Sequence, residues 1–159
     1  MKKILQRFQN LARALLHILC FPYIAYLGLK KEDALKSADW EKLIANLQTT
    51  QKFGVLSPRD LFLLGYAHSS LGRMDEAIKF MEIISTSLED VDEEACRYCT
   101  HAWLLHKVGK LQESKAILEH SVSEKWPAYR IKWAEDFLDS VQGDRFSSDV
   151  AFIPKLSLH

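Results

Sequence analysis

Apolar residues recur at three and four positions along most of this chain, in short runs separated by polar turns. From Ile4 to Leu19, Ile4, Phe8, Leu11, Leu15 and Ile18 share one face at about 100° per residue. Leu5, Ala12, Leu16 and Leu19 lie beside them, while Gln6, Gln9, Asn10, Arg13 and His17 take the other side. This pattern predicts an amphipathic helix. The stretch "CFPYIAYLGL" that follows is apolar on all sides, and no charge falls between Ala14 and Leu29. Beyond Lys31 the pattern predicts short helices punctuated by glycine. "ADWEKLIANLQTTQKFG" places Trp40, Leu43, Ile44 and Leu47 on one face and stops at Gly54. In "SPRD", Ser57 is a cap, Pro58 suits a first helical turn and Asp60 completes a capping-box spacing. That helix runs to Gly72, and Asp75 and Glu76 start the next, which runs to about Ser87. Further helices are predicted over about Glu93–Lys107, ended by Gly109, then Gln112–Glu124, then Ala128–Val141. No strand-like alternation of useful length is present.

Two of these helix pairs repeat. With an offset of 37 residues, Leu61 falls on Tyr98, Leu64 on His101 and Gly65 on Ala102. Gly72 falls on Gly109, Glu76 on Glu113, Ala77 on Ser114 and Met81 on Leu118. Small residues coincide with small residues and turn glycines with turn glycines. The pattern carried by Leu61, Leu64, Gly65, Ala67, Gly72, Glu76, Ala77 and Ile78, and again by Tyr98, Ala102, Gly109, Glu113 and Ser114, resembles the tetratricopeptide repeat. The resemblance covers roughly Lys31–Val141. His101 stands where that family prefers an aliphatic residue, and the loop between the two repeats is about three residues longer than usual. Trp40–Gln51 is similar to the second helix of a degenerate repeat whose first helix is Tyr23 to Lys36, and Ala128–Val141 to a capping helix. Within the pattern, Gly65 in mid-helix costs about 1 kcal/mol against alanine. A close crossing at Ala77 explains it, and Gly72 supplies a left-handed turn.

The resemblance implies an all-α fold: antiparallel helix pairs stacked as a short right-handed solenoid, preceded by an extra amphipathic helix. It implies that Leu61, Leu64, Gly65, Gly72, Ala77, Tyr98, Ala102, Gly109 and Ser114 pack the repeats. It implies a concave face lined by Arg59, Phe62, Tyr66 and Ser69, then by Cys99, Trp103, His106 and Lys107, which would receive a protein or peptide. A role for this face as a plain packing surface, covered by a neighbouring helix or the tail, stays open beside it.

Composition narrows the chemistry. Lys and Arg number 21, as do Asp and Glu, which gives no electrostatic footprint for nucleic acid. Three cysteines do not make a disulfide framework. Cys96, Cys99 and His106 share a helix face, but zinc requires a second ligand pair, and none is evident. No phosphate loop, dinucleotide fingerprint or nucleophile elbow is present. No catalytic residue, metal or cofactor is therefore expected; the acidic run "EDVDEE" reads as a turn and helix start whose paired carboxylates, Glu89-Asp90 and Glu93-Glu94, are solvated.

Three parts are expected: residues 1–29 as an apolar N-terminal segment, 30–142 as the repeat domain and 143–159 as an irregular tail. The first part spans a membrane, lies on one, or is a helix that packs on the following domain or dimerises. The location expected is thus membrane-associated, with the cytoplasm as the alternative. The expected function is a non-enzymatic adaptor or scaffold. The alternative is a soluble secretion chaperone that forms a homodimer through its N-terminal helix. The tail carries Phe146, Phe152, Ile153 and Leu156, more apolar mass than a solvated tail needs. It is expected either to cover part of the stack when no partner is bound, in cis or from a second copy, or to pack as ordinary C-terminal structure.

Overall fold

Short polar side chains and glycines set the ends of the helices. The computed structural model describes residues 21–54, 56–142 and 154–156, and every regular element among them is an α-helix. The amphipathic helix expected before residue 21 lies outside the described residues. The chain divides into two compact units, Met1–Phe53 and Gly54–His159.

The first unit contains α1, over 21–36, and α2, Trp40–Gln51. Leu27, Ala34 and Leu35 of α1 and Leu43, Ile44 and Leu47 of α2 are buried. Asp39 caps α2 by accepting from the Lys42 N–H at 3.1 Å. The second unit contains α3 (Pro58–Ser70), α4 (Met74–Glu82), α5 (Val91–Lys107), α6 (Leu111–Ser121) and α7 (Ala128–Gln142). Ser57 caps α3 through the Asp60 N–H at 3.1 Å, as its spacing predicts. Helix α3 packs mainly on α4, and α5 on α6; α4 meets α5, and α7 lies on both α5 and α6. This is the expected stack of antiparallel pairs with a final helix across its end.

The two turns inside these pairs are built alike. The Gly72 N–H donates to Ser69 O at 3.0 Å and the Arg73 N–H to His68 O at 2.9 Å. In the second pair Gly109 donates to His106 O at 3.0 Å and Lys110 to Leu105 O at 2.9 Å. Both are Schellman stops, with glycine at φ +74° and +82°. The α1–α2 turn has the same bonds, Ala38 to Leu35 O at 3.0 Å and Asp39 to Ala34 O at 2.9 Å. There an alanine takes the left-handed position, at φ +51°.

The crossings match as well. A Cβ on Gly65 would lie 3.3 Å from the Ala77 carbonyl oxygen and 3.3 Å from the Phe80 Cβ, so only glycine lets α3 and α4 approach this closely. In the second pair the equivalent residues are Ala102 and Ser114, and the buried Ser114 hydroxyl donates to Ala102 O at 2.7 Å. Helix α4 ends earlier than its apolar pattern suggests. Ile84 and Leu88 turn inward, and the Leu88 N–H is held by Glu94 at 3.1 Å. Helix α5 starts earlier, at Val91, because Asp90 caps it through the Glu93 N–H at 2.8 Å. Helix α6 stops at Ser121, where Val122 turns extended.

Candidate functional site

The face predicted to bind runs along α3 and α5, and steps of three and four keep its residues in two stripes. The structure places Phe62 and Cys99 wholly inside, and leaves Tyr66, Ser69 and Trp103 only 4–6% exposed. The Ser69 hydroxyl turns back to Tyr66 O at 2.7 Å. Arg59, Lys107 and part of His106 reach the surface. The Lys107 Nζ sits 5.4 Å from the centre of the Trp103 ring. His106 meets Phe137 of α7 edge to face at 5.6 Å.

The acidic start of α5 ties three helices together. Glu93 accepts from Arg59 of α3, with Arg59 Nη2 at 2.7 Å. Its neighbour Asp92 accepts from Arg130 Nε of α7 at 2.8 Å and from the Tyr129 hydroxyl. On the other side of α5, Glu94 is paired with Arg97 at 2.7 Å. The run "EDVDEE" is an exposed turn at Glu89 and Asp90 and a helix start beyond it, but its Glu93–Glu94 pair is not solvated. Glu93 and Arg130 are buried, and each charge is paired, as burial requires.

Pro154, Lys155 and Leu156 lie across this face. The Tyr66 hydroxyl donates to Pro154 O at 3.0 Å and accepts from the Leu156 N–H at 3.0 Å. Arg130 Nη2 donates to Lys155 O at 2.7 Å. The Cys96 Sγ lies 3.9 Å from Pro154 O and 3.8 Å from Lys155 O. Burial pushes the Tyr66 pKa up to about 12, reinforced by Cys96 and opposed by the Leu156 N–H and Arg130. The phenol is thus neutral at ordinary pH and can give one hydrogen bond while taking another.

Residues 61–82, from the first turn of α3 to the end of α4, match the family model of the tetratricopeptide repeat. This segment is a tetratricopeptide repeat. No curated protein and no solved structure matches the chain. The pair α5–α6 reproduces the tetratricopeptide turn and crossing at the 37-residue offset visible in the sequence. Tetratricopeptide repeats are protein-interaction modules, and the face under Pro154 belongs to the first helices of both pairs.

Cys96, Asp92 and Arg130 are functional candidates that the sequence pattern did not pick out for this face. Cys96 lies seven residues before Trp103, two helical turns along one stripe of α5, so periodicity contained that signal. Asp92 and Arg130 are 38 residues apart, and nothing local marks their pairing. Burial pushes the Cys96 thiol up to about 11 and raises that of Cys99 further, so neither is a ready nucleophile. Among the described residues no three His, Cys, Asp or Glu side chains converge as a metal site. No described helix is long and apolar enough to cross a membrane.

Proposed function

We propose that the chain is an adaptor that holds a segment of another protein along the α3–α5–α7 face. The observation that carries this reading is the chain's own Pro154–Leu156, seated there by Tyr66 and Arg130. A short segment without helix or strand bonding finds its polar partners on this face. The stripe continues from Cys96 to Trp103, where Lys107 places a positive charge over the indole. An aromatic ring beside a cation is the kind of anchor that dominates such interfaces. Affinity selection of random peptides on the full chain tests the reading. Selected peptides should bind Trp103→Phe at least about fivefold more weakly, which is ~1 kcal/mol, with the circular dichroism spectrum unchanged. Equal affinity for wild type and Trp103→Phe removes this face from the function.

We also assign residues 1–29 a peripheral membrane contact. The support lies at the described end of that segment. Phe21, Tyr23, Tyr26 and Leu29 are 45–68% exposed, and Lys30 stands beside the Tyr26 ring. Exposed aromatics next to lysines suit the bilayer interface.

A further inference from the structure

The contacts that hold Pro154–Leu156 have an unusual chemistry: their polar partners on the segment are main-chain atoms. Tyr66 takes the carbonyl of one residue and the N–H of the residue two further on. In an extended strand those two groups point to the same edge, where a neighbouring parallel strand would bond them. One phenolic oxygen replaces that neighbour. The carbonyl between them, on Lys155, is taken by Arg130, whose guanidinium is fixed by Asp92. Pro154 is buried, Leu156 is half-buried and the Lys155 side chain is exposed. The grip therefore asks for a proline, any residue, and then an aliphatic residue that keeps its N–H.

We propose that Tyr66 and Arg130 form a main-chain clamp for an extended Pro-X-aliphatic segment of a partner protein, and that residues 154–156 occupy it until such a segment displaces them. This rests on the adaptor reading above and specifies its ligand. Nothing in the clamp distinguishes the resident segment from another with the same backbone. Pro supplies a fixed φ and has no N–H to leave unpaired, so an incoming Pro-X-aliphatic segment loses little entropy on binding. The resident segment has the advantage of attachment. A covalently joined ligand acts at an effective concentration on the order of millimolar. A partner must therefore bind more tightly than the resident segment, or be presented locally in large excess.

The probe is a fluorescent peptide with the sequence of residues 152–157, Phe-Ile-Pro-Lys-Leu-Ser, titrated into the full chain and followed by anisotropy. Leu156→Pro removes the N–H that Tyr66 accepts and loosens the resident segment without touching the clamp. The peptide should bind Leu156→Pro at least ~10-fold more tightly than wild type. Adding Tyr66→Phe to that variant should cancel the gain, and so should a peptide N-methylated at its leucine. Equal binding to wild type and Leu156→Pro, with unchanged helix content, overturns the proposal and makes the segment a fixed strap. Should Leu156→Pro fail to fold, hydrogen exchange at the Leu156 amide of the wild-type chain decides. Saturating peptide should speed that exchange, and unaltered protection in the bound state overturns displacement. A concentration-dependent dimer of the wild-type chain that the peptide dissolves would make a second copy the occupant and overturn the partner assignment. Binding of selected peptides that depends on Trp103 but not on Tyr66 leaves the adaptor reading intact and removes the clamp alone.

Discussion

Gly65 offers the sharpest test of the repeat packing, because two opposing effects at one position can be weighed from the structure. Replacing glycine by alanine inside an exposed helix gains about 1 kcal/mol. Here the added Cβ would lie 2.9 Å from the Met81 Cε, and 3.3 Å from both Ala77 O and Phe80 Cβ. The Met81 end is flexible, but Met81 is 1% exposed and has little room to move. The other two atoms belong to the frame of α4, so the helices must part by a few tenths of an ångström. Overpacking of this kind costs about 1–3 kcal/mol. The expected balance for Gly65→Ala is a loss of about 1 kcal/mol, and for Gly65→Leu about 2 kcal/mol or more. Ala102 provides the reverse test at the same repeat position. It already fits its crossing, so Ala102→Gly should lose at least about 1 kcal/mol, from helix propensity together with the buried methyl it removes. Urea unfolding measures all three. Trp103, Trp126 and Trp133 lie in the second unit and Trp40 in the first, so a Trp40→Phe background confines the fluorescence signal to the repeats. A loss of 1 kcal/mol moves the midpoint by roughly 0.3–1 M. Gly65→Ala more stable than wild type by the full propensity gain, or an unfolding curve unmoved by Gly65→Leu, would refute the close crossing.

His101 replaces the aliphatic residue found at the matching position of the first repeat, Leu64, which is completely buried. Its Nε2 is buried without a hydrogen-bond partner, and burial, with Arg97 and Lys110 nearby, pushes its pKa down to about 4. Between pH about 6.5 and 4 the unfolded chain takes up a proton that the native chain refuses, so stability falls with acid in that window, by about 2–3 kcal/mol. His101→Leu should stabilise the repeats and flatten that slope, and urea midpoints of equal slope for both proteins would contradict the assignment. For residues 1–29, the full chain should float with anionic vesicles and be released by an alkaline wash. Retention after that wash, or no flotation at all, would contradict peripheral contact.

The helices and their turns were legible because their determinants are local. Ser57, Gly72 and Gly109 act on atoms within a few residues, and capping and left-handed turns depend on residue type. The α1–α2 turn was less legible, since Ala38 occupies a position where local sterics favour glycine. The stripes through Tyr66 and Trp103 were readable from helical periodicity. What covers them was only partly readable: the apolar content of the tail pointed to the stack, and Leu156 does lie on it, while Phe146, Phe152 and Ile153 lie outside the described residues. The bonds that define the site join residues 25 to 90 positions apart, from Arg130 to Lys155 and from Leu156 to Tyr66. No spacing rule reaches that far. The burial of Glu93 was hidden for the same reason, as its partner Arg59 lies 34 residues earlier.

The separation of 90 residues between Tyr66 and Leu156 also orders events in time. The turns at Gly72 and Gly109 close over a few residues, so the bonds within each helix pair need only short loops. The bonds to Pro154 and Leu156 need the longest loop closure of the contacts described, to residues made well after α3 and α5. During synthesis, then, Tyr66 faces a period in which α3 and α5 are present and the segment that will cover them is not. A nascent chain has an open face that the mature chain keeps closed, and the first molecule to meet it need not compete with anything.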